Sequence, residues 1–230
     1  MLLLVAGEQG IGQQSTMSDS KDHDLDRSLV GVIADAGALD LAAALAEGQL
    51  DKLLTDGPLK DVPFFGTLIR LWKSGPQVRD WLFMRKLGKF LVPIHQIPSE
   101  EREGFARKLD DDPEQRKRAG EHLMLVLERV DDFQKPELIS RAFIAYLRGS
   151  YNFETFQRLS SAVERCFYTD LFRVAQTGKQ VSYSQLTAIN LSNAGLIELS
   201  AVPQIRAPEV KNQYSTTSLG ETFRTVVLRQ

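Results

Sequence analysis

GEHLMLVLERVDDFQKPELISRAFIAYLRGSYNFETFQRLSSAVERC, residues 120–166, is the stretch that decides the fold. Its apolar residues recur at helical spacing rather than in the strict alternation of a strand. Lys135-Pro136-Glu137 marks a helix start, because a proline in the first turn gives up an amide that has no partner within the helix anyway. That helix runs through Tyr146 and Leu147 and ends near Gly149. Asn152 can cap the next, which carries Phe153, Phe156, Leu159, Val163 and Cys166. Before both, Asp112-Pro113-Glu114 opens a helix whose run Leu123 to Leu127 is apolar on every face. A helix of that kind is expected at the centre of a bundle.

Working outward, Ser99 followed by Glu100 and Glu101 has the form of a helix start, with Ser99 as the cap and the helix ending at about Leu109. Pro76 is expected to open a helix with Val78, Trp81, Leu82, Leu87, Phe90 and Leu91 on its apolar face, closed by Pro93 and Pro98. Residues 63–75 read as a short helix behind a turn cluster at 55–63, and Gly37 and Gly48 divide the apolar stretch 27–54 into short helices. Beyond Asp170 the texture changes: a helix from Ser182 through Leu191, a stop at Gly195, a strand at 196–199, a proline-bearing loop, a strand from Tyr214 and a final helix from Ser218. The expected fold is mainly α, a multi-helix bundle with a small C-terminal winged-helix-like α+β module. Its divisions are a leader or disordered segment at 1–26, a helical domain at 27–170 and the module at 171–230. Residues 1–16 lack the basic flank of a signal peptide and their apolar run stops at Glu8, so Met17 reads as an alternative start.

Across 230 residues the composition is that of a globular protein, 43% hydrophobic and 25% charged, and the net charge of -2 gives no global attraction to nucleic acid or anionic lipid. The lone cysteine, Cys166, rules out an internal disulfide framework and fits a cytoplasmic location; beside Val163 and Phe167 it reads as a small buried hydrophobe. The stretch Leu29 to Leu45 carries Asp35 and Asp40, so no transmembrane segment is expected.

The three histidines, His23, His95 and His122, show no metal-site spacing, and GEQGIG at 7–12 lacks the lysine of a phosphate loop. No catalytic residue, metal or cofactor is expected. For His122 a surface or core-edge role is preferred to general acid–base work, which needs a second positioned group. Arg129, Asp131, Asp132 and Lys135 bunch at a turn between apolar helices, with Arg165 able to join them. A structural ion-pair network is the default reading and an active site the alternative. The segment 70–91 gathers Arg70, Lys73, Arg79, Arg85, Lys86 and Lys89 around Trp72 and Trp81, opposed only by Asp80. It can serve as a surface for nucleic acid or an anionic membrane, or pack its aromatics inward, which is the preferred reading.

Residues 59–91 and 120–166 together resemble an uncharacterised bacterial family of small helical proteins, often carried among mobile and defence-associated genes. The pattern is Pro63, Gly66, Arg79, Asp80 and Phe83, then Glu128, Arg129, Asp131, Asp132, Lys135 and Pro136, across roughly 50–170. No activity attaches to that family, so the resemblance implies no mechanism. NAGLIEL (193–199) followed by YSTTSLGETF (214–223) resembles the second half of winged-helix domains and the tail of abortive-infection proteins of the Abi-alpha kind. The expected function is that of a non-enzymatic interaction or regulatory protein, with a protein partner or self-association, and phage defence as the setting the resemblance implies. The alternatives are DNA binding by the C-terminal module and membrane-surface binding by 70–91. Against DNA, the helix at 182–193 contains no lysine or arginine, whereas duplex binding rests on phosphate neutralisation. An enzyme would be signalled by a pocket gathering His122 or Cys166 with charged groups from other helices.

Overall fold

A computed structural model of the chain describes residues 30–34, 38–48, 78–176, 183–201 and 213–228. The segment 1–26, the helix at 63–75 with its preceding turns, Pro76 and the loop at 202–212 lie outside the described residues.

Helix boundaries follow from short-range chemistry. After a helical piece at 30–34, α1 (Ala38–Glu47) ends at Gly48, which takes a positive φ of 77°. Next come α2 (Val78–His95), α3 (Ser99–Asp110) and α4 (Pro113–Arg129). Asp112 caps α4 by accepting from the amide of Gln115 at 3.0 Å, with proline at the first position. α5 (Lys135–Leu147) ends before Gly149, again at positive φ, and α6 (Phe153–Arg165) starts where Asn152 accepts from Thr155 N. A short α7 (Tyr168–Leu171) continues into a 3-10 turn at Phe172–Gln176. Then α8 (Gln185–Asn193), capped by Ser184, leads through Gly195 into β1 (Ile197–Ala201). β1 pairs antiparallel with β2 (Gln213–Thr216), Ile197 opposite Thr216 and Leu199 opposite Tyr214, with an irregularity between Leu199 and Ala201. α9 (Ser218–Thr222) and a wider π turn at Phe223–Val227 complete the described chain, which is mainly helical with one two-stranded sheet.

Three expectations are corrected here. The central helix is α5, not α4: every residue of α5 from Leu138 to Leu147 except Arg141 is buried. In α4 the residues Leu123, Val126 and Leu127 are buried, while Leu125 is 50% exposed. At about 100° per residue Leu125 points away from the face that Leu123 and Leu127 share, so a continuous apolar run need not mean all-round burial. Pro93 does not close α2, which runs through it to His95. Its missing amide leaves the carbonyl of Lys89 without the bond it would otherwise receive, yet the helix continues two residues further. Ser99 is the first helical residue of α3 rather than its cap; Pro98 holds the cap position with φ -52° and ψ 144°.

The core is organised around α5. Phe143 lies 5.7 Å from Phe90 of α2 and 5.4 Å from Phe156 of α6, ring to ring, and Tyr146 stacks on Phe156 at 5.6 Å. α1 and α2 cross closely at Gly88, where a Cβ would stand 2.5 Å from Ala46 N and 2.6 Å from Leu45 Cβ. The 30–34 piece is held by buried Arg102, whose guanidinium donates to Ile33 O at 3.3 Å and lies 2.8 Å from His95 Nδ1. Since a guanidinium only donates, that imidazole nitrogen is the acceptor. Phe223 and Val227 are buried in the same core, and Arg141 donates to Val227 O at 3.3 Å, so the C-terminal turn is fastened to α5.

Candidate functional site

A cleft of about 990 Å³ opens between α6 and the connection from α8 to α9. One wall exists because α6 is strongly amphipathic: Phe156, Leu159, Ala162 and Val163 face the core, leaving Glu154, Arg158, Ser161 and Arg165 on the open side. The other wall is set by Thr217, whose hydroxyl donates to Gly195 O at 2.5 Å and accepts from Gly220 N at 3.0 Å. Gly220 is required at that junction, since a Cβ there would stand 1.9 Å from Leu196 O. Thr217, Ser218, Leu219 and Thr222 thereby face α6 across the cleft.

His122 lies on the cleft wall, its Nε2 2.7 Å from Ser160 Oγ. The serine hydroxyl also lies within reach of two helical carbonyls, Phe156 O at 2.9 Å and Gln157 O at 3.1 Å; when it donates to one of them, His122 is the donor in their shared bond. The ring packs edge-on against Phe153 and Phe156, and burial pushes its pKa below the ordinary value of 6.5. With Ser160 buried, the pair holds α4 against α6. The cleft does gather His122 of α4 with Glu154, Arg158 and Arg165 of α6, the feature that would signal an enzyme; Cys166 is not on its wall. The Cys166 thiol is buried, and burial raises its pKa to about 11, far from a reactive thiolate. Glu154 and Arg158 pair with each other at 2.8 Å. Arg165 is 68% exposed, with Glu164 3.9 Å away.

At the turn between α4 and α5 the structure brings together Lys135 and Asp131. Lys135 is 1% exposed and its ammonium donates to Asp131 at 2.5 Å and to Glu164 O at 2.9 Å. The hydrogen bond from Lys135 holds the Asp131 carboxyl below its usual range. Asp132 does something different: it caps the turn by accepting from Gln134 N at 2.7 Å. Arg129 is exposed, and Arg165 lies on the cleft wall rather than at this turn. Sequence reasoning missed Lys86, which reaches the turn from α2 by donating to Glu128 O at 2.9 Å. No local pattern could have found it, because the two residues meet only when α2 packs beside the end of α4.

Of the basic aromatic segment, Arg70, Lys73 and the side chain of Arg79 lie outside what is described. Arg85 donates to Ala46 O at 3.3 Å and lies 4.3 Å from the ring centre of Phe133. Trp81, Phe83 and Lys89 are half-buried and Phe90 is buried.

A fourth surface has no counterpart in the sequence reading. Cys166 Sγ lies 3.7 Å from Asn190 O, and Thr187 donates to Asp170 at 3.1 Å, which sets α7 beside α8. Large apolar side chains stand out from these elements: Leu186 is 74% exposed and Phe167 65%, with Ile189 and Phe172 also exposed. Among the described residues no group of three or more histidines, cysteines or acids could hold a metal ion, and no helix is long and apolar enough to cross a membrane. No protein-family model, curated protein or solved structure matches the chain.

Proposed function

We propose that this is a non-enzymatic interaction protein that docks on another protein through the exposed face of α7 and α8. The observation that carries the proposal is the run of exposed apolar side chains at Phe167, Phe172, Leu186 and Ile189. Exposed large apolar side chains gathered on two neighbouring elements point to a contact surface more than a single one would. The partner's matching surface is apolar and low in charge, because no charged residue occurs between Lys179 and Glu198. That same absence argues against duplex DNA and anionic lipid as the occupant. The reading of 171–230 as a winged-helix-like module belongs to this proposal; its support, among the described residues, is the order α8, β1, β2, α9, with α8 serving as a protein-contact helix. A bacterial defence setting is proposed from sequence resemblance alone, and a cytoplasmic location from the lone cysteine.

The test uses the full chain with Leu186→Glu and Ile189→Glu together. A partner captured from native cells is purified and its affinity measured against both forms. The double variant keeps its helical circular dichroism and loses at least about tenfold in affinity, since central apolar anchors each contribute more than 1 kcal/mol or so. Equal affinity of the two forms overturns the proposal.

A further inference from the structure

We infer that the partner seated on α8 is a second copy of this chain, the two α8 helices packing face to face across a two-fold axis. This rests on the reading of the α7 and α8 face as a protein contact and names the occupant of that face.

The side chains of α8 divide between two sides. Thr187, Ala188 and Leu191 are buried against the body of the molecule. Leu186, Ile189 and Asn193 stand three and four residues apart, which at 100° per residue puts them within about 60° of one another. All three are exposed, Leu186 by 74% and Ile189 by 46%. Apolar residues at alternating steps of three and four are the seam by which one helix packs along another.

Charge separates a second copy from a different protein. In a two-fold contact the same patch meets itself, so a charged residue near the axis faces its own kind and is repelled. Of the helices α1 to α9, α8 alone contains no aspartate, glutamate, lysine or arginine. The solvent side of a surface helix ordinarily carries such residues, whereas α8 exposes Gln185, Leu186, Ile189 and Asn193. Contacts between different proteins gain selectivity from opposed charges, and α8 offers none to oppose. The apolar, uncharged surface that this face requires of its partner is the surface that α8 itself presents. A net charge of -2 leaves two copies little to repel them. Ile189 is central in the stripe, so it lies nearest the axis whether the paired helices run parallel or antiparallel. With nine residues α8 is about 13 Å long, so the contact is small and the dimer weak, with a Kd on the order of 10–100 µM.

Sedimentation velocity of the full chain over roughly 1–500 µM tests this, with Ile189→Glu, Ile189→Lys and their equimolar mixture beside the unmodified protein. The unmodified chain should pass from monomer to dimer across that range. Each variant alone should stay monomeric, because a like charge then faces itself across the axis. The mixture should regain a dimer, since glutamate then meets lysine, and that recovery also shows that both variants are folded. Salt at about 1 M should leave the unmodified dimer in place, as no ion pair holds it. An unmodified chain that is monomeric at the highest concentration, a dimer that survives either substitution, a mixture that stays monomeric, or a dimer dissociated by salt would each overturn the inference. Its failure is distinguishable from that of the reading beneath it: a monomeric chain from which a different captured protein is lost on Leu186→Glu with Ile189→Glu removes the second copy and keeps the contact face, while equal affinity of that protein for both forms removes the face itself.

Discussion

Lys135 and Asp132 sit three positions apart at one turn, yet they bear on stability by different routes. The Lys135 ammonium is buried, and its salt bridge to Asp131 is what makes that burial tolerable. Asp131→Asn removes the charge partner and should destabilise by about 1–3 kcal/mol; this sits below the cost of a fully buried pair because the Asp131 side chain is 69% exposed and water can partly replace it. Asp132→Asn keeps an oxygen for the Gln134 amide and should cost under about 0.5 kcal/mol in urea unfolding. If the two variants fall equally, the network does not centre on Lys135. His122 makes a separate prediction. Its folded pKa lies below 6.5, so the unfolded chain binds the proton more readily. The His122 contribution to stability is complete above pH 6.5 and is lost as pH falls through the folded pKa, with a slope of at most about 1.4 kcal/mol per pH unit. His122→Gln, which can still donate to Ser160, should remove that part of the acid slope. An unchanged slope in thermal unfolding between pH 7 and 5 would contradict the assignment.

Among elements, the α1–α2 crossing depends on the missing side chain at Gly88. Ala46 N and Leu45 Cβ occupy the volume a methyl group would need, and the atoms nearest it are mostly backbone, which cannot swing aside. Gly88→Ala, favourable by helix propensity alone, should therefore destabilise by about 1–3 kcal/mol in chemical denaturation. A neutral or stabilising outcome would mean that the two helices can separate at little cost. The same reasoning explains why α5 rather than α4 is central. Both read as apolar and both pack against α2 and α6, but α5 does so far more extensively and also packs on the π turn at Phe223–Val227. Which helix is enclosed depends on neighbours contributed by distant parts of the chain.

At the scale of the whole molecule, caps, glycines at positive φ and apolar spacing were legible in the sequence. Asp112, Asn152, Gly149 and Gly195 act where local chemistry places them, as do the two strands and the start at Ser218. Each needs only a hydrogen bond or a backbone angle within a few residues, which is information the local sequence contains. The cleft was not legible. Its walls come from residues as far apart as His122 and Thr222, and the face of α6 that lines it looks, along the chain, like any solvated polar stripe. The exposed run at Phe167, Leu186 and Ile189 was hidden for the converse reason: apolar residues at helical spacing predict burial, and only packing decides which of them lack a neighbour. Lys86 and Arg85, which count as part of a basic surface in sequence, each hold a backbone carbonyl of another helix. The sequence by itself placed most of the described helices and both strands and several of their caps, because capping and backbone preference are short-ranged, while the ends at Pro93, Ser99 and Ser184 fell a few residues from where local chemistry put them. The tertiary structure alone decided which apolar face is enclosed, which charge is buried and which polar stripe lines a cleft, because burial is a property of what packs against a residue.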